Sequence, residues 1–401
     1  MELLSVIIVS YNVRYYVEQC LRSVFASKGD FDVEAIVIDN ASHDETIPYL
    51  KERFPQSRYP HLHLMAHPEN AGFGRANNLA LQQASGDYIL FLNPDTLVAE
   101  NTFADCIQFF RTHSDAGAVG VRMLKPNGEF APESRRGLPT PFTSFCKLSG
   151  LSRCFPHSPL FGRYYMHYLD SREVCAIDVV SGAFMIMPRE VAQLTEGFDE
   201  SFFMYGEDID LSYRIQKAGY QNYYLPTPIL HYKGESTEKT SYRYVYVFYE
   251  AMLIFFNKHY RHLGLLVSLP IKLTICLLGF FTFLQQQMRK LRQPRRKLPG
   301  RPIQADFLFI GSSSMLEQAR LMAERFGWTA VYYEGNERTL PQGHLAQSIK
   351  NHCRFVAYDM ESYSVSAVLR IFDCSSQKDS FIATYYPSQK QLITNIKVYQ
   401  L

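Results

Sequence analysis

No two of the chain's eight cysteines form a CxxC pair. Cys20, Cys106, Cys146, Cys154, Cys175, Cys276, Cys353 and Cys374 are too scattered for a compact disulfide framework and read as reduced, mostly buried thiols of a cytosolic compartment. Cys146 and Cys154 alone stand close enough to leave a bridge or a metal open. A dominant charge is missing too: the net charge of +2 gives no general argument for nucleic-acid binding. The N-terminus has no basic region before its apolar run, and that short β-branched run reads as a strand rather than a signal peptide. After it stands Ser10-Tyr-Asn12 in place of a GxGxxG fingerprint, which argues against a dinucleotide enzyme. What remains is ordinary: 401 residues, 47% hydrophobic and 20% charged, enough for two or three domains with a large core.

The first third alternates. Val6-Ile-Ile-Val9 is a strand, followed by a helical stretch with Val17, Leu21, Val24 and Phe25 on one face. Ala35-Ile-Val-Ile38 is a second strand, and Ser42 with Glu45 predicts a capping box opening the next helix. Leu62 to Ala66 is a third strand, a Gly-rich loop leads into a helix through Asn78 to Ala84, and Tyr88 to Leu92 is the fourth strand. Such alternation implies βαβ units and a mainly parallel sheet between helices. Ligands then bind beyond the carboxyl ends of the strands. Those ends carry Ser10-Tyr11-Asn12, Asp39-Asn40, the Asn70-Ala-Gly-Phe-Gly loop and Asn93-Pro94-Asp95. Each is a plausible turn by itself; their convergence on one rim points to a site.

Later stretches add to it. Asp178 to Met187 reads as a strand with small residues, Ser181 and Gly182, at a point of close approach. Glu207, Asp208 and Asp210 crowd the start of a helix running to about Ala218, more acid than a cap requires. His231 heads a tight Gly-containing loop. Residues 242 to 256 are densely aromatic, Leu263 to Leu284 is nearly all apolar, and a basic run continues to Arg301. This segment, 241–302, is expected to seat in a membrane as a helix or shallow hairpin, with a single span as the competitor. From 303 to 401 a small α/β domain is expected, read as a regulatory or packing module, since its Gly311-Ser-Ser-Ser turn is only a weak anion-site signal.

Asp95 with His231 suits a divalent metal, Mg²⁺ or Mn²⁺, shared with a diphosphate. Asp208 is then free to deprotonate an acceptor hydroxyl. These motifs, together with Ser5-Val-Ile-Ile-Val-Ser-Tyr-Asn12, Val37-Ile-Asp-Asn-Ala-Ser42, Ser181-Gly-Ala-Phe and Gly206-Glu-Asp-Ile-Asp-Leu211, resemble glycosyltransferase family 2, most closely its rhamnosyltransferase-like branch, over residues 3 to 240. The resemblance implies a GT-A fold over 1–240, a nucleotide-sugar donor, a divalent metal and inversion at the anomeric carbon. By position, Ser10, Tyr11, Asn12, Asp39 and Asn40 would surround the nucleoside, and Asn70, Gly72 and Arg75 the ribose and diphosphate. Asn93-Pro94-Asp95 takes the place of the family's Asp-x-Asp, with Asp95 on the metal and Asn93 replacing the first acid. Asp208 matches the catalytic base, Glu207 and Asp210 its support, and His231 the late metal or diphosphate ligand. Ser181 and Gly182 would face the sugar or acceptor.

Processive synthases of the family carry Gln-x-x-Arg-Trp, whereas the single tryptophan here is Trp328 in Gly-Trp-Thr. The expected activity is therefore transfer of one or a few sugars to a lipid-linked or other glycan acceptor, in bacterial surface-polysaccharide synthesis at the cytoplasmic face of the inner membrane. No nucleic-acid partner is expected. A non-catalytic nucleotide-sugar sensor or scaffold is the alternative, and the Glu207-Asp208 pair speaks against it.

Overall fold

The computed structural model describes residues 1–232, 242–260, 305–347, 349, 353–375 and 379–401, with isolated positions 264, 269, 273 and 277. The apolar stretch from Leu263 to Leu284, the basic run after it and the loop following Tyr232 lie almost wholly outside these residues. Among those described, no helix is long and apolar enough to cross a membrane.

The elements in chain order are β1 (Glu2–Ser10), α1 (Arg14–Phe25), β2 (Phe31–Asn40), α2 (Thr46–Arg53), β3 (Leu62–His67), α3 (Phe73–Leu81), β4 (Tyr88–Leu92), β5 (Thr96–Val98), α4 (Thr102–Thr112), β6 (Ala116–Leu124), α5 (Pro141–Leu148), α6 (Leu151–Cys154), β7 (Cys175–Ile177), β8 (Phe184–Pro188), α7 (Arg189–Leu194), α8 (Glu207–Lys217), β9 (Gln221–His231) and α9 (Tyr242–His259). A second unit follows with β10 (Ala305–Gly311), α10 (Ser313–Phe326), β11 (Ala330–Glu334), β12 (Cys353–Asp359), α11 (Val365–Asp373), β13 (Phe381–Tyr386), β14 (Gln391–Ile393) and β15 (Val398–Gln400).

Among the described residues the first nine strands form one mixed sheet in the order β3-β2-β1-β4-β8-β6-β9-β5, with β7 on β9. The β3-β2-β1-β4 half is parallel, as the alternation predicts. Its strands are apolar on both faces because helices cover both: all five residues of β4 are buried. Each such aliphatic side chain removed from water contributes about 1.5–3 kcal/mol. The other half departs from that pattern, since β8 runs antiparallel to β4 and β5 antiparallel to β9.

Three local expectations are corrected. The Ser42–Glu45 capping box does not form: Glu45 precedes α2 with φ of 58° and no side-chain cap. Ser42 instead donates its hydroxyl to Asp39 and accepts the Asn12 N–H at 2.8 Å, tying two strand ends together. The stretch from Asp178 to Met187 is not one strand; it breaks at 178–183, and only Phe184–Pro188 pairs in the sheet. The Ser312 turn is occupied from within, because its N–H (3.1 Å) and hydroxyl (2.7 Å) both donate to the buried Asp359.

The second unit has its own six-stranded sheet, β11-β10-β12-β13-β14-β15. It also shares an apolar core with the first: Val17, Leu21 and Val24 of α1 lie in one buried cluster with Val368, Phe372 and Ile393. Polar contacts lock the seam. Tyr16 donates to the Thr394 carbonyl (2.8 Å), the Ile382 N–H to the Pro126 carbonyl (2.7 Å), and nearly buried Arg122 pairs with Asp373 at 2.8 Å. The Glu100 carboxylate accepts the N–H groups of Val365 (2.8 Å) and Ser366 (2.9 Å) at the start of α11, besides the Ser366 hydroxyl. Burial alone would raise the Glu100 carboxyl, but these hydrogen bonds bring it below its ordinary range. Its stabilising contribution is therefore present at neutral pH and lost as pH falls through the acid range. Glu100→Gln should lower unfolding stability by about 1–3 kcal/mol at pH 7 and less at pH 4, read by urea denaturation of the full chain; an equal loss at both pH values would contradict the assignment.

Candidate active site

A pocket of about 410 Å³ opens at the carboxyl ends of the central strands. It is lined by Tyr11, Asn40, Asn70, Gly72, Asn93, Asp95, Ser181, Gly182, Glu207, Asp208 and His231, eleven of the residues singled out in the sequence. The strand pairing explains how distant parts meet. β5 pairs antiparallel with β9 in a register that sets Thr96 opposite His231, and Tyr232 donates its N–H to the Asp95 carbonyl at 3.0 Å. As a result His231 Nε2 lies 3.3 Å from Asp95 Oδ1 and 3.3 Å from Asn93 Nδ2.

Asp95 and His231 are both buried, and His231 Nδ1 has no hydrogen-bond partner. One carboxylate and one imidazole converging at a pocket wall fit a divalent cation that completes its shell with substrate oxygens. Among the described residues no cluster of three or more acidic, histidine or cysteine side chains could enclose an ion by itself. The donor set thus suits a cation that arrives with a diphosphate.

On the opposite wall, Gly206 (φ 87°) turns the chain into α8, placing Glu207 and Asp208 at its first turn where the helix dipole favours negative charge. Asp208 pairs with the mostly buried guanidinium of Arg136 and accepts the Gly182 N–H at 3.1 Å, while its other oxygen accepts the Ile209 N–H at 2.8 Å. Those contacts hold the carboxylate facing the pocket. Glu207 is buried beside it, one of its oxygens has no partner, and burial followed by the Asp208 charge pushes its carboxyl up to about 8. At neutral pH Glu207 therefore carries a proton.

A third wall of the pocket is stapled by Asn40, which donates to Asn70 Oδ1 (3.0 Å) and the Gly72 carbonyl (3.3 Å) and accepts the Ala71 N–H (2.9 Å). Gly72 has φ of 83°, and a Cβ there would sit 2.6 Å from the Phe203 carbonyl oxygen, so no other residue fits.

Five predicted residues lie outside this lining. Ser10 is fully buried in β1, and Asn12 and Asp39 are engaged with His43 and Ser42 in the loop behind the pocket. Arg75 is about half exposed, its nearest acidic partner Glu200 at 3.9 Å. Asp210 points away: one helical step beyond Asp208 it is wholly buried, bound by Arg214, Lys258 and His259. Despite burial, these partners pull its carboxyl down to about 2, so it anchors α9 to α8 rather than facing a ligand. Conversely, Glu133, Arg136, Lys147, Tyr164, Tyr165 and Tyr205 line the pocket and escaped sequence reasoning. Their signals were weak, a basic pair at 135–136 and an aromatic pair at 164–165 inside an irregular stretch.

Residues 5–192 match the family model described as Glycosyl transferase family 2. This part of the chain belongs to glycosyltransferase family 2. The protein is a glycosyltransferase of the rhamnosyltransferase-like kind. It is 27% identical over 278 residues to the N-acetylglucosaminyl-diphospho-decaprenol L-rhamnosyltransferase of Mycobacterium tuberculosis, covering 66% of this chain and 86% of that protein. It is 28% identical over 166 residues to rhamnosyltransferase WbbL of Escherichia coli, covering 39% of this chain and 58% of the relative. Among solved structures, the mannosyltransferase PcManGT from Pyrobaculum calidifontis, in complex with GDP-Man and Mn²⁺, is similar at 18% identity and a TM-score of 0.46, over 73% of this chain and 81% of that one. At that score the likeness carries no argument about the site.

The Glu207 proton has a measurable consequence. Its pKa is raised above the unfolded value, so its contribution to stability is full below about 4.5 and lost as pH rises through about 8. Stability should fall by up to about 1.4 kcal/mol per pH unit in that window from this group alone. Glu207→Gln should flatten the decline in thermal midpoint between pH 6 and pH 9; a wild-type slope in the variant would show that Glu207 is already ionised.

Proposed function

We propose that this glycosyltransferase is inverting and non-processive, moving one sugar at a time from a nucleotide-diphosphate donor to a hydroxyl of a lipid-linked glycan at the cytoplasmic face of a bacterial membrane. The observation that carries the reading is the placement of an oriented carboxylate, Asp208, in the same pocket as the Asp95–His231 pair. When bound, a divalent cation held by Asp95 and His231 would supply Lewis-acid stabilisation of the departing diphosphate. The Asn40-stapled loop of Asn70 to Gly72 positions the donor beside them. Asp208 takes the proton of the incoming hydroxyl as its oxygen bonds the anomeric carbon from the face opposite the leaving group. Displacement with one base and no protein nucleophile inverts the centre. Arg136 aims Asp208, and protonated Glu207 spares it a second negative neighbour.

Single-sugar transfer is supported by the setting of Trp328, which packs against Phe307, Phe326 and Tyr399 in the C-terminal unit and takes no part in the pocket. The named activity of the mycobacterial relative supports a lipid-diphosphate acceptor and a role in cell-wall polysaccharide synthesis. The apolar and basic sequence of 261–302 supports peripheral attachment to the membrane.

The test is a panel of dTDP-, UDP- and GDP-sugars offered to the full chain with Mn²⁺ and a lipid-linked acceptor. One donor should be consumed with inversion, and Asp95→Ala should remove the Mn²⁺-dependent part of nucleotide affinity, a loss of about tenfold or more. Nucleotide binding that ignores Mn²⁺ in both proteins, or donor binding without turnover, would overturn this reading.

A further inference from the structure

Behind the catalytic pocket lies a second, smaller cavity of about 90 Å³. Its apolar wall is Pro139, Ile209, Ala251, Met252, Phe255 and Phe256. The two cavities have common walls, since Lys147, Tyr164 and Tyr205 line both. The slot exists because α9 packs on the start of α8: Phe202, Ala251 and Phe255 form a buried cluster with Tyr205, Ile209 and Tyr213 around it. The Asp210 ion pairs with Lys258 and His259 fix that packing at its far end.

At the junction the Lys147 ammonium lies 3.3 Å from the centroid of the Tyr164 ring and 5.2 Å from that of Tyr165. Moving away from Asp208, a ligand would therefore meet an acid, then a cation, then hydrocarbon. The hairpin of α5, which carries Lys147, and α6 continues the apolar theme, because Phe142 and Phe145 of α5 and Phe155 just beyond α6 are each about half exposed.

We propose that the Lys147 junction and the α8–α9 slot are the subsite for the diphosphate and the first prenyl carbons of a prenyl-diphosphate-linked acceptor, whose sugar then reaches Asp208. The inference deepens the proposed lipid-linked acceptor and rests on that reading. Its order of groups matches such a molecule: sugar hydroxyl, dianionic bridge, apolar chain. The slot holds a short piece of chain, and the remainder leaves over the exposed rings of the hairpin. Burial, and secondarily Arg136, push the Lys147 ammonium down to about 7, and an anion bound beside it would favour its charged form.

The test measures binding to the full chain in detergent with EDTA present, so that diphosphate held through a divalent cation does not contribute. The probes are farnesyl diphosphate, methyl diphosphate, farnesol and dodecylphosphocholine. Farnesyl diphosphate should bind at least about tenfold more tightly than each of the others. Lys147→Gln should bring farnesyl diphosphate to the affinity of farnesol. Met252→Glu should bring it to that of methyl diphosphate, with circular dichroism and thermal midpoint confirming that each variant folds. Equal binding of dodecylphosphocholine would make the slot a general lipid contact, and affinity indifferent to both substitutions would place the ligand elsewhere; either result overturns the proposal. Donor turnover is scored separately: lost farnesyl selectivity with intact nucleotide-sugar hydrolysis removes this subsite alone, whereas absent hydrolysis removes the reading beneath it.

Discussion

The pairing of Arg136 with Asp208 is the contact on which the site depends. A carboxylate and a guanidinium so little exposed persist as charges only because each satisfies the other, and removing one partner from such a pair leaves an uncompensated charge. The pair joins three segments that share no secondary structure: the irregular stretch after β6, the Ser181–Gly182 turn before β8 and the first turn of α8. Glu207, buried beside Asp208 and next to that charge, keeps its proton. One ion pair thus divides the roles of two neighbouring acids, a general way of setting acid and base assignments.

A second set of constraints keeps that arrangement rigid from behind. Asp210 lies on the same helix but gathers Arg214, Lys258 and His259, so α9 is clamped to α8 by charge and by the Phe255 cluster. The wall of the catalytic pocket is in this way continuous with the element leading toward the apolar and basic sequence after Tyr260. On the other flank the C-terminal unit packs its α11 against β5 and β9 and shares a core with α1. Helix α9 therefore restrains α8 on one flank, and the C-terminal unit restrains the sheet on the other.

The parallel half of the sheet was legible because strands buried on both faces read as unbroken apolar runs, as at Ile7 and Leu90, and because polar residues follow them at one edge. That edge supplied Asn40, Asn70, Asn93 and Asp95 to the pocket as anticipated. The antiparallel half was not legible: β8 is short, and the small residues before it form a turn whose Gly182 N–H serves Asp208 and not a ladder. Asp210 looked equivalent to Asp208 because sequence shows three acids together, while helical geometry turns them to different faces. Arg136 and Lys147 were invisible for the opposite reason. Long-range charge pairing leaves no period, and nothing at 130–165 repeats every two or 3.6 residues.

The central claim is that Asp208 is the base of an inverting transfer, and a single-turnover experiment with Asp208→Asn reaches it most directly. With enzyme in excess over donor and saturating acceptor, transfer should slow by about a hundredfold or more while donor affinity stays within about twofold of wild type. Transfer at near wild-type rate, with donor affinity equally preserved, would contradict the account.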